Sequence, residues 1–258
     1  MNEMILYVAL IVGMFFLAWR RMKQKSKVYR RMPDRDFPRQ WKSILQQRVP
    51  FYKRLSGTDK EKFEKEVHIF LLNYQIEGNG TEVTDLDRIL IAAGAIIPIF
   101  RLEKWHYLKL ERVVVFPDKF RIPETDKMAR GLVGWGEMEG QMWLSRKAIY
   151  QGFHDDNDQK NVVIHEFIHM MDMQDGFVDG VLEELMAEED IIPWLELIKE
   201  KSSQIGQERN AIRDYAKANP VEFLAGTSEF YFENPNKLQS EHPAIYRALD
   251  KIYNPKVN

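Results

Sequence analysis

The chain has 258 residues, 45% hydrophobic and 29% charged, with a formal net charge of −2 and no cysteine. That length can bury one sizeable core, or two small lobes sharing a cleft. The missing cysteines exclude a disulfide framework and any thiolate metal site, so a metal would have to take nitrogen and oxygen ligands.

Charge is unevenly placed. Residues 1–31 hold seven Lys or Arg against one acid, Glu3, so with a total of −2 the rest of the chain is net −8. An acidic body argues against a nucleic-acid partner. Met4 to Trp19 is uncharged over sixteen residues, just short of the ~17–25 usual for a spanning helix. Tyr7 and Trp19 can sit at the interfaces, and Arg20 can snorkel to lengthen the span. The basic residues follow this stretch, whereas a secretory signal puts them before it. The expectation is therefore a single-pass transmembrane helix in the inner (cytoplasmic) membrane, with the body in the cytoplasm. The alternative is an uncleaved tail packed on a cytoplasmic protein. On this reading residues 1–31 form an anchor and basic linker, and 32–258 form the catalytic domain.

Phe37 to Asn79 has a helical pattern, with Trp41, Ile44 and Leu45 on one face and Phe63, Val67, Phe70 and Leu71 on another, divided by Pro50. Gly78-Asn79-Gly80 is a turn. Thr84 and Asp85 can cap a buried helix running through Ile89–Phe100, which Pro98 interrupts. Val113–Phe116 and Gly140–Ser145 read as strands, with a turn-rich segment over 121–140. Asp155-Asp156-Asn157-Asp158 lacks the spacing of a calcium loop and suits the first-turn dipole of the next helix. Gly176 and Gly180 end that helix. Glu183–Glu208 is a charged helical stretch interrupted at Pro193, and further helices begin at Asn219-Pro220 and at His242.

The chemistry sits in Val162–Asp172, whose core is His165-Glu166-x-x-His169. On a helix, positions i and i+4 share a face, so two imidazoles can reach one ion while Glu166 lies beside it without ligating. The surrounding apolar residues imply burial, and a buried His or Glu needs a partner that a metal can supply. A catalytic zinc usually has three protein ligands. His68, His106, His154 and His242 have no motif spacing to the pair, which points to a carboxylate as the third. Spacing leaves two candidates equal: Glu188 or Glu189 within an acidic run, and Glu222 at N3 of the helix beginning Asn219-Pro220, where it could equally serve a capping box.

His165–Asp172 with Met173-Gln174-Asp175-Gly176 and Asp179-Gly180 resembles the zinc-dependent peptidase family of Mlc titration factor A (family M90), which is related to the catalytic domain of anthrax lethal factor. The likeness continues in Asn161–Ile164, Asp214-Tyr215-Ala216, Asn219–Phe223 and Ser228–Phe232, and spans roughly Phe37 to Pro255. It implies an α+β, mostly helical, zincin-like domain with a small sheet beside the metal helix. It also implies that Glu222 is the third zinc ligand, that Tyr215 belongs to the active site, that activity is aminopeptidase-like, and that some members bind a transcriptional repressor. The chain departs from the pattern in its apolar N-terminus and in Arg146, where an aromatic often follows the Leu-Ser pair.

The mechanism implied is hydrolysis of a peptide by water activated at one Zn2+ per chain, held by His165, His169 and Glu222. Glu166 acts as general base and Tyr215 as an oxyanion donor. Glu229, two turns after Glu222, or Asp172, seven after His165, could orient a histidine. The strand Gln141–Leu144 is expected to align a peptide substrate as an edge strand, with Trp143 either lining the cleft or buried. The alternative function is a regulatory protein that sequesters a transcriptional repressor, the zinc being mainly structural. The expected partners are thus a peptide or protein substrate, the membrane through the N-terminal helix, and a regulatory protein.

Overall fold

The computed structural model describes residues 30–103, 105–134, 136–154, 160–203 and 219–255. The chain divides into two units, Met1–Met32 and Pro33–Asn258, and the elements below belong to the second. Helices α1 (Arg39–Arg48), α2 (Pro50–Arg54) and α3 (Gly57–Asn73) follow the predicted periodicity. Pro50 opens α2 in its first turn, where an N–H has no helical partner to lose. The helical pattern does not continue to Asn79. Tyr74 turns extended at the end of α3, and Gln75–Gly78 forms strand β1, which buries Ile76.

Helix α4 (Asp85–Ile99) begins with a reciprocal cap: the Thr84 hydroxyl accepts from the Asp87 N–H, and the Asp87 carboxylate accepts from the Thr84 N–H. Asp87 is fully buried and pairs with Arg146 at 2.9 Å. The departure at Arg146 therefore has a structural use, joining two elements far apart in sequence. Pro98 lies one residue from the end of α4 and does not break it.

Strands β2 (Arg112–Phe116), β3 (Phe120–Arg121), β4 (Met128–Ala129), β5 (Gly131–Val133) and β6 (Gln141–Ser145) follow. The main sheet has the order β1-β2-β6-β5, and β3 pairs with β4 separately. β1 and β6 run parallel to β2, whereas β5 runs antiparallel to β6. The strand expected at the edge is thus an inner one. β6 is paired on both sides; the edges are β1 and, beside β6, β5, which is three residues long inside the segment that reads as turns. Trp143 packs against Phe116 and Phe120, with ring centroids 5.1 and 5.6 Å away.

The remaining elements are α5 (Arg146–Gly152), α6 (Val162–Asp172), α7 (Glu188–Ser203), α8 (Pro220–Glu233), α9 (Pro235–Glu241) and α10 (Pro243–Tyr253). α7 continues through Pro193 instead of breaking there. The neighbouring Trp194 is buried and donates from Nε1 to the Gly180 carbonyl at 2.7 Å, an anchor outside the helix. The central helix is α6, packed between α4, α8 and β5. Gly94 permits the α4–α6 approach, since a Cβ there would meet Val163 Cγ1 at 2.4 Å.

The expected transmembrane helix is corrected, and with it the membrane partner and the single-pass inner-membrane location. No helix among the described residues is long and apolar enough to cross a membrane. The strongly apolar α4 has 15 residues, below the ~17–25 of a span, and is core. Met4–Trp19, which carried the expectation, lies outside the described residues, as do Asp155–Asp158. The described fold is a mostly helical α+β body with small sheets.

Candidate metal centre

Local signals fix the ends of α6. The Asn161 side chain accepts from the Ile164 N–H at 3.2 Å, an N-cap, and its Nδ2 donates to the Gly152 carbonyl at 2.9 Å, tying α6 to the end of α5. Lys109 Nζ donates to the Met173 carbonyl at 2.5 Å, where a cation meets the negative end of the helix. One face of the helix so held carries His165 and His169.

Their rings are nearly perpendicular, with centroids 4.6 Å apart, and the two Nε2 atoms lie 2.9 Å from each other. Glu222 closes the group: Oε2 is 3.3 Å from His165 Nε2, and Oε1 is 3.4 Å from His169 Nε2. All three ligand atoms fall within 4.8 Å of one another. A tetrahedral ion with bonds of ~2.0–2.1 Å sets its ligand atoms about 3.3 Å apart. The donor set and its spacing therefore fit zinc. Glu188 and Glu189 are exposed at the start of α7 and take no part in the cluster.

Electrostatics point the same way. Burial depresses the His165 imidazole, but the Glu229 carboxylate beside it and the contact with Glu222 outweigh that effect and hold its pKa well above the usual value. Bonds from His165 and His169 hold the Glu222 carboxyl far below the ordinary carboxylate range. Burial raises Glu166, opposed by both imidazoles. Carboxylates thus surround two imidazoles, an arrangement that favours a positive charge at their centre.

Glu222 sits at N3 of α8, and Asn219 caps that helix by accepting from the Glu222 N–H at 2.9 Å. Its own carboxylate turns to the imidazoles, not back to the cap. Glu229, two turns on and buried, meets His165 Nδ1 at 3.2 Å, leaving Nε2 for the ion. Asp172 turns to the loop after the helix. Both its oxygens accept from the Gly180 N–H, at 3.1 and 3.2 Å. Gly180 has φ +79° and lies so near α8 that a Cβ would meet the Pro220 carbonyl oxygen at 2.4 Å. Asp172 therefore locates the loop on which the start of α8 rests.

Two cavities meet at Arg130, Gly131, His165 and Glu166, one of about 790 Å³ and one of about 730 Å³. The second runs along β5 and past His169 and Glu222. The Ser145 N–H donates to the Arg130 carbonyl and the Gly134 N–H to the Gln141 carbonyl. Alternation along an antiparallel pair then turns the backbone groups of Gly131 and Val133 away from β6, to the open edge. Sequence reasoning missed this edge because a three-residue strand among turn residues shows no alternation. Its one signal is Leu132-Val133 beside a glycine. Tyr215 lies outside the described residues.

Comparison with known proteins places the chain in a family. Residues 17–254 match the family described as glucose-regulated metallo-peptidase M90. The chain is 32% identical over 236 residues to the uncharacterized protein slr2042 of Synechocystis, covering 85% of each. It is 25% identical over 236 residues to Mlc titration factor A of Yersinia pestis, covering 86% of each. The same values hold for Mlc titration factor A of Yersinia pseudotuberculosis.

Proposed function

This chain belongs to the glucose-regulated metallo-peptidase family M90, and on that premise we propose that it is a zinc-dependent, aminopeptidase-like peptidase whose catalytic unit comprises residues 32–258. The observation that carries the reading is the meeting of His165, His169 and Glu222 at one point, with Glu166 buried next to it. Bound there, zinc supplies Lewis-acid polarisation of the scissile carbonyl and activation of water at neutral pH. Glu166 takes the proton from the attacking water and delivers it to the leaving amine, a task that suits a carboxyl raised by burial. Glu229 fixes the ring of His165. The open edge of β5 takes the peptide main chain by strand addition. Tyr215 is assigned the oxyanion. The test is to purify the full chain and measure zinc and peptide hydrolysis before and after chelation. About one zinc per chain is expected, with hydrolysis lost on its removal and restored on its return. Hydrolysis indifferent to chelation would sink the reading.

The second reading is a regulatory protein that sequesters a transcriptional repressor and keeps the metal mainly for structure. The name of the Yersinia relatives, Mlc titration factor A, favours it. The two separate in one comparison: a regulatory role survives Glu166→Gln as partner binding, whereas peptidase activity does not.

A further inference from the structure

The described lining of the larger cavity carries more basic than acidic side chains. Arg48, Arg130, Lys147 and Lys160 line it, together with His154. Among the described residues its acids are Glu166 and Glu229, whose charges act on the imidazoles. Chain charge makes this unusual, because everything after residue 31 is net −8. Lys147 has a weak neighbour in Asp118, at 3.6 Å between side chains 63% and 60% exposed, and such surface pairs hold little. The smaller cavity differs: Leu132, Val133, Met173, Val178 and Val221 give it an apolar wall. Arg130 stands where the two join.

Resting on the peptidase reading, we propose that the larger cavity is a carboxylate subsite, which takes an anionic group of the substrate beside the scissile bond while apolar residues occupy the smaller cavity. Two arginines and two lysines around a concave space are matched by a carboxylate, which guanidinium can grip with two parallel bonds. That carboxylate comes from an Asp or Glu side chain or from the peptide's C-terminus. A cation is disfavoured there, so a free amino terminus lies toward the apolar side.

Three peptides of one core sequence provide the test with the full zinc-loaded protein: neutral and amidated, amidated with one Glu, and neutral with a free C-terminus. The expected kcat/KM is about fivefold or more higher for one of the anionic peptides than for the neutral one at low salt. Which anionic peptide gains identifies the source of the carboxylate. Near 1 M salt the advantage shrinks, since the screening length falls to ~3 Å. Arg130→Gln with Lys147→Gln lowers the anionic-to-neutral ratio toward one. Fluorescence anisotropy of all three labelled peptides on Glu166→Gln gives the same order without turnover. Cleavage of all three at equal kcat/KM, with equal binding, overturns the proposal and leaves the peptidase reading standing. Failure to cleave any peptide counts against the peptidase reading, and the anisotropy series then decides the subsite alone.

Discussion

Gly131 of the edge strand lies against Glu166 of the metal helix so closely that a Cβ at 131 would fall 2.3 Å from Glu166 Oε1 and 2.6 Å from Val162 Cγ2. No side chain fits there without displacing the carboxylate. The residue that opens the proposed substrate edge is thus also the floor on which the proposed base rests.

Gly131→Ala should push Glu166 aside while leaving His165, His169 and Glu222 in place. A misplacement of about 1 Å can lower a rate about 10²-fold. Zinc content measured beside kcat/KM should show metal retained and turnover reduced on that scale. Unchanged turnover would mean that Glu166 does not act from this position.

The third-ligand question has a direct answer in zinc affinity. Glu222→Gln should weaken binding severely. Glu188→Gln and Glu189→Gln should leave it nearly unchanged, because both side chains are exposed and remote from the cluster. Competition with a chromogenic chelator reads all three. A large loss in either control, with Glu222→Gln unaffected, would reverse the assignment.

Glu229 acts through His165. Removing an outer carboxylate of this kind typically lowers metal affinity about 10–100-fold. Glu229→Ala should fall in that range, and Glu229→Gln, which keeps an acceptor oxygen for Nδ1, should recover part of it. Equal affinity in both variants and the parent would leave Glu229 with no part in the site.

Asp172 supplies a pH dependence. Burial pushes its carboxyl up from 3.8 to about 7, against the bond from the Gly180 N–H. A pKa higher in the folded than in the unfolded chain means that its contribution is complete below 3.8 and is lost as pH rises through about 7. Asp172→Asn keeps an oxygen for Gly180 and carries no charge. After chelation, the variant should melt above the parent at pH 8, with the gap closing toward pH 4. A gap constant across that range would show that Asp172 stays ionised in the fold.

The sequence discloses the centre of this site better than its surroundings. His165, Glu166 and His169 are legible because helical geometry alone brings i and i+4 together. Glu222 was only one of two candidates by spacing, since its neighbour in space is 57 positions or so away in the chain and nothing local marks it; the likeness of Asn219–Phe223 to a family motif pointed to it. Asp172 and Glu229 share a seven-residue offset from a ligand, yet only Glu229 reaches an imidazole. β1 and β5 were hidden by a helical pattern that overruns and by turn residues, because pairing across the sheet, and not local propensity, makes them strands. The apolar run near the N-terminus gave an expectation of membrane insertion that no described helix meets.

Glu166→Gln, with zinc and peptide hydrolysis measured on one preparation, separates metal binding from catalysis. The substitution preserves shape and removes the basic oxygen, while His165, His169 and Glu222 are untouched. About one zinc per chain is expected, with hydrolysis lowered about 10²–10⁴-fold. Full hydrolysis by this variant, with its zinc in place, would contradict the role of Glu166 as base.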